Sequence, residues 1–269
     1  MEMKERIIVT GATGGMGSAA VEALASQGKG VIMACRNQAR AEVVRGNVLS
    51  HHPKADISIK ELDLASTLSV RRFAESIVPG TVTGLFNNAG TISRNYSLTP
   101  DGLENTFAVN YFSPWLLTCL LAGKLPKGGH IVNMVSITCR FANISAEGLR
   151  PAEKDFRQLR TYAASKRALL SFTMEFARRN PQLVVNMADP GVVATGIINL
   201  GHWYDPISNV IFKPFCKRPE EGVKPALRAI ASETGNRYFV GSGSREIPNR
   251  YLTPELDKLL WNETEKILR

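Results

Sequence analysis

Tyr162 and Lys166 stand four residues apart in "RTYAASKRALLSF", a stretch whose apolar residues recur at helical spacing. On a helix, positions i and i+4 are neighbours, so a phenol and an ammonium project into one small volume. A positive charge beside a phenol favours the phenolate and lowers its pKa from about 10, giving a proton donor or acceptor usable near neutrality. The same spacing arises by chance in amphipathic helices, so the pair gains meaning only from its surroundings.

A second chemical pattern opens the chain. "VTGATGGMGSAAVEALAS" runs from a strand end into a helix, with Gly11, Gly15 and Gly17 in the turn. Glycines there permit a tight turn, close backbone approach to a pyrophosphate, and close packing of helix on strand. The helix N-terminus adds free N–H groups and the positive end of its dipole. After the next strand, "GVIMACR" ends on Arg36, where NAD-preferring folds present an acid to the ribose. An arginine accommodates the 2′-phosphate instead, so NADP(H) is the expected cofactor, with NAD(H) left open. Asn37 stands beside it, and Asp63 and Leu64 follow the third strand, placed to meet the adenine.

The elements that must position these groups alternate along the chain. "RIIVT", "GVIMA", "DISIKEL", "GLFNN", "HIVNMVS" and "LVVNMAD" are short apolar runs bounded by polar or glycine residues. Between them, Gly17–Gln27, Ala39–Leu49, Leu68–Val78 and Tyr162–Asn180 carry helical periodicity. Continuous rather than alternating apolar strands are those covered by helices on both faces. The expected fold is a single-domain α/β, Rossmann-type, doubly wound parallel sheet spanning residues 1–269, with "GNRYFVGSGS" as a further edge strand. Cys139–Arg160 and Ile197–Pro219 interrupt the rhythm after strand ends, on the side where open α/β sheets bind ligands. They are expected to form a substrate lip and a lid.

Taken in order, Thr10, Gly11, Gly15, Gly17, the "NNAG" at Asn87–Gly90, Asn110, Ser136, Tyr162 and Lys166 resemble the short-chain dehydrogenase/reductase family over nearly the whole chain. Its T-G-x-x-x-G-x-G pattern is met by Thr10 to Gly17, its Y-x-x-x-K by Tyr162 to Lys166, and its P-G-x-x-x-T by Pro190 to Thr195. The resemblance implies that Tyr162 exchanges a proton with a substrate oxygen, and that Lys166 lowers the phenol's pKa and holds the nicotinamide ribose. It further implies that Ser136 orients the substrate and that Asn110 supports a water chain. Cofactor contacts are implied for Thr10, Gly11, Thr13, Gly15, Met16, Gly17, Asn88, Ala89, Gly90, Pro190, Gly191, Val193 and Thr195. "MACRN", the long interval from Ser136 to Tyr162 and "KRPEEGVKPAL" look most like the retinol-dehydrogenase and protochlorophyllide-reductase-like branch. The implied substrate is a hydrophobic ketone, aldehyde or secondary alcohol.

Composition narrows the field without deciding it. A hydrophobic fraction of 44% and a charged fraction of 21% describe an ordinary globular chain. The net charge of +9 comes from scattered residues with no long basic tract, which argues against nucleic acid. Cys35, Cys119, Cys139 and Cys216 form no C-x-x-C pair, so no metal site or disulfide framework is expected. "WLLTCLLAG" is far short of the roughly 20 apolar residues of a membrane span, and the opening residues run directly into a strand, so a cytoplasmic location is expected. Homo-oligomer formation stays open. Two other classes compete with an oxidoreductase: a cofactor-sensing binding protein without turnover, and a sugar-nucleotide epimerase or dehydratase. The full set of Asn110, Ser136, Tyr162 and Lys166 speaks against the first, and the short stretch after Thr195 against the second.

Overall fold

Runs rich in Ile and Val form strands where the sequence places them: β1 (Arg6–Thr10), β2 (Gly30–Cys35), β3 (Ile57–Glu61), β4 (Gly84–Asn87), β5 (His130–Met134) and β6 (Val184–Asp189). The computed structural model describes residues 5–193 and 217–269. Its sheet has eight strands in the order β3-β2-β1-β4-β5-β6-β7-β8, where β7 is Arg237–Val240 and β8 is Gly243–Glu246. Every neighbouring pair is parallel except β7 with β8.

Between the strands lie α1 (Gly15–Ser26), α2 (Gln38–His51), α3 (Thr67–Glu75), α4 (Ser113–Ala122) and α5 (Gln158–Arg179). The chain ends with α6 (Pro219–Gly222), α7 (Lys224–Ile230) and α8 (Pro254–Leu268). Side chains alternate across each strand, so the sheet feeds two cores. Ile8, Leu85, Ile131 and Val185 pack with Leu117, Phe172 and Trp261 on one face. Ile7, Val9, Phe86 and Val132 pack with Val21, Leu24 and Ala226 on the other.

Strand order reverses between β1 and β4, because β2 and β3 build outward on one side and β4 to β6 on the other. A crevice opens there at the carboxyl ends of the strands. Three local features differ from the sequence expectation. "GNRYFVGSGS" is a hairpin that adds an antiparallel edge strand, because Gly241, at φ +56°, reverses the chain. Helix α5 begins at Gln158, four residues before Tyr162, so the end of the expected lip is its first turn. The rest of the lip is a series of 3-10 turns at Ile137–Phe141, Glu147–Leu149 and Glu153–Asp155.

Candidate active site

Beside the reversal point, a cleft of about 470 Å3 is lined by Gly11, Thr13, Gly15, Met16 and Gly17 from the first turn. Arg36, Asn37, Asp63, Leu64, Asn88, Ala89 and Gly90 complete the part that the sequence anticipates. Gly17 is required sterically, since a Cβ there would stand 2.1 Å from the Gly11 carbonyl oxygen. Thr10 is buried beneath the cleft and works structurally: its Oγ1 accepts from the Ala89 N–H at 3.0 Å. Asn88 Nδ2 donates to the Thr10 carbonyl at 2.9 Å, tying β4 to β1. Asn37 Oδ1 accepts from the Arg40 N–H at 2.9 Å and so caps α2. Asp63 Oδ1 accepts from the Ala65 N–H at 3.0 Å, which shapes its own turn.

Arg40 also lines this cleft and went unread in the sequence, although it repeats the i, i+4 spacing from Arg36 that drew attention to Tyr162 and Lys166. Thr91, Asn105 and Val109 line the cleft too; nothing in their types announces it. An elongated anion fits these residues: the N-terminal turn of α1 carries no acidic side chain, and two arginines wait at the far end.

At the carboxyl ends of β5 and β6 the second group assembles. The Ser136 hydroxyl is close enough to the Tyr162 phenol to favour its ionised form. Ser136 Oγ in turn accepts from Thr138 N at 3.2 Å and from Thr138 Oγ1 at 3.0 Å, which fixes its direction. Lys166 is buried and donates to the Met134 carbonyl at 2.8 Å. Asn110 is fully buried in a π-turn, Ala108–Phe112, inserted between a short helical start and α4. It donates to the Thr91 carbonyl at 2.9 Å and to Ser165 Oγ at 3.0 Å, and accepts from the Thr91 N–H at 2.8 Å. Gly90 lies between the two: a Cβ there would be 3.4 Å from Lys166 Nζ and 3.5 Å from Asn110 Oδ1.

Pro190 and Gly191 form the turn after β6, and Val193 pairs with Lys217 in an isolated parallel bridge. Thr195 and positions 197–216 of the expected lid lie outside the described residues.

The electrostatics depart from the expectation in one respect. Burial pushes the Tyr162 phenol up to about 12, against the opposing pull of the nearby Ser136 hydroxyl. Lys166 is committed to Met134, and its own pKa is brought down to about 8 by burial. The phenol of this arrangement is therefore a proton donor rather than a phenolate at neutral pH. For Lys166, the folded state binds fewer protons than the unfolded chain between about 8 and the ordinary lysine value. Its stability cost is thus fully present below pH 8 and is relieved as pH rises toward 10.5. We expect the stability difference between Lys166→Met and the parent to change in the parent's favour by about 2 kcal/mol from pH 7 to pH 10. Urea titrations at both pH values check this, and parallel pH curves would contradict it.

Comparison with known proteins bears on the chain's family. A family model described as short chain dehydrogenase matches residues 5–201. Retinol dehydrogenase 14 of Mus musculus is 32% identical, covering 96% of this chain and 84% of its own length. Retinol dehydrogenase 13 of Homo sapiens is 31% identical, covering 97% and 84% respectively. The crystal structure of an uncharacterized protein from Mycobacterium paratuberculosis superposes with a TM-score of 0.81 at 25% identity, covering 99% of this chain and 96% of that one.

Proposed function

The chain belongs to the short chain dehydrogenase family, and from that premise we propose that it is an NADP(H)-dependent oxidoreductase acting on a hydrophobic ketone, aldehyde or secondary alcohol. The observation that carries this reading is the Ser136–Tyr162 hydroxyl pair beside buried Lys166, at the sheet end that also holds the anion-shaped cleft.

When bound, the nicotinamide cofactor supplies or accepts the hydride. Arg36 and Arg40 would hold the 2′-phosphate, the N-terminal turn of α1 the pyrophosphate, and Asp63 and Leu64 the adenine. Ala89 and Gly90 would meet the adenosine ribose, Lys166 the nicotinamide ribose, and Pro190, Gly191, Val193 and Thr195 the carboxamide.

Tyr162 gives its proton to the carbonyl oxygen in reduction and removes the alcohol proton in oxidation. Ser136, held in place by Thr138, offers a second hydrogen bond to the same oxygen and fixes its approach. Lys166 keeps a cation near the phenolate left after donation and lowers its cost. Asn110 holds the strand end at Thr91 against α5 through Ser165, which keeps Gly90 and Lys166 in register.

An apolar substrate suits the rim. Phe141 is 85% exposed, and Ile137, Leu159 and Val192, which lie near Ser136, Tyr162 and Gly191 in the sequence, are exposed as well. The retinol dehydrogenases to which the chain is similar are named for an alcohol of this kind.

Replacing Arg36 with Asp tests the cofactor assignment. The dissociation constant for NADPH is expected to rise by about tenfold or more, the scale of one lost charge-assisted contact, while that for NADH changes little. Equal losses for both would contradict the assignment.

A further inference from the structure

Asp189, the last residue of β6, is a carboxylate only 1% exposed, and neither its family motif position nor the reaction above gives it a task. Both of its oxygens are engaged. Oδ1 accepts from the Gly191 N–H at 2.9 Å, closing the turn in which Gly191 takes φ +73°. Oδ2 accepts from the Tyr238 hydroxyl at 2.6 Å, a short charge-assisted bond. Tyr238 is itself 1% exposed on β7, and the Arg245 guanidinium of β8 lies over its ring at 5.1 Å from the centroid.

The register sets this pair beside the chemistry. Ala188 pairs with Met134, whose carbonyl holds Lys166, and the Val135 N–H donates to the Ala188 carbonyl at 2.9 Å. Asp189 therefore stands level with Val135, one residue before Ser136. Tyr238 shares one buried cluster with Val135, which precedes Ser136, and with Cys139 in the turn that follows it.

We propose that Asp189 and Tyr238 are a positioning pair for the catalytic end: they fasten the Pro190–Gly191 turn to β7 and hold the Asp189 carboxylate beside the end of β5 that leads to Ser136. The proposal rests on Tyr162 being the acid/base. Several titratable or charged groups face this region. Tyr162, Lys166 and Arg167 come from α5, Cys139 from the turn after Ser136, Tyr238 from β7, Arg245 from β8 and Tyr251 from the turn before α8. Lys217 reaches the Pro190 carbonyl at 3.5 Å. Burial is the largest influence on Tyr162, and the charge of Asp189 adds to it in the same direction. Tyr238 is pushed upward by burial and by Asp189, so it stays a donor to the carboxylate.

Two near-isosteric variants separate the two roles. Asp189→Asn keeps the shape and removes the charge. Tyr238→Phe keeps the charge and removes the bond that ties it to β7. The Tyr162 phenol is titrated in the cofactor-free protein by ultraviolet difference absorption, as the signal that Tyr162→Phe abolishes, and the pH profile of alcohol oxidation is measured in parallel. In Asp189→Asn both are expected to move to lower pH, since a negative charge that opposes the phenolate is removed. In Tyr238→Phe the profile is expected to hold while the KM for NADPH rises several-fold and kcat changes little. Unmoved titration and profile in Asp189→Asn, together with an unmoved KM in Tyr238→Phe, would overturn the proposal. Activity retained in Tyr162→Phe would instead overturn the underlying reading, whatever the two variants show.

Discussion

Tyr162→Phe is expected to lower turnover by about 10²- to 10⁴-fold, the range that a positioned acid/base contributes, while NADPH binding stays nearly unchanged. Phenylalanine keeps the ring and its packing on α5 and removes only the hydroxyl near Ser136. Ser136 retains its Thr138 contacts, so the substrate oxygen still finds one donor but no proton. The loss should therefore fall on kcat rather than on KM for the cofactor. Steady-state kinetics with a bulky ketone, alongside fluorescence titration of NADPH, checks the split. A variant that turns over within a few-fold of the parent would remove Tyr162 from the mechanism.

The second large effect is on stability. Trp261 of α8 lies at 5.0 Å from the ring of Trp115 on α4 and stacks at 21° on Phe172 of α5, with Phe176 beside it. The Arg179 guanidinium covers its other side at 4.4 Å from the centroid. These contacts fasten the C-terminal helix onto the helix that carries Tyr162 and Lys166, and Tyr111 adds a 2.6 Å hydrogen bond to Thr264. Trp261→Ala is expected to cost about 3–5 kcal/mol, since it removes a large ring from a packed cluster and leaves a cavity. The lost cation–π contact adds about 0.5–1 kcal/mol. Urea denaturation measures this directly. A cost below about 1 kcal/mol would mean that α8 is not anchored through this ring.

Both effects concern residues of very different visibility in the sequence. The strands were legible because Ile7 to Val9 and Val31 to Met33 are continuous apolar runs, which only a sheet covered on both faces demands. Tyr162 and Lys166 announced themselves by spacing, and the glycine turn by its place between a strand and a helix. Strand β8 did not, because "GSRE" is exposed on both sides and carries no alternation. The π-turn at Asn110, Ala108–Phe112, carries one extra residue per turn, which no local propensity encodes. "WLLTCLLAG", too short to span a membrane, makes up most of α4, whose side chains are largely buried. Arg40 was missed because its backbone N–H serves the Asn37 cap while its side chain faces the cleft, a division that spacing alone does not reveal. The phenol's upward shift was equally invisible, since it comes from burial by distant segments rather than from its helical neighbour.

The most direct test of the central claim is the rate of NADPH oxidation by the purified protein with a bulky apolar ketone or aldehyde, run against NADH and against Tyr162→Phe. The account expects turnover that is faster with NADPH at equal concentration and that collapses in the variant. Turnover that persists in Tyr162→Phe, or that prefers NADH, would contradict it.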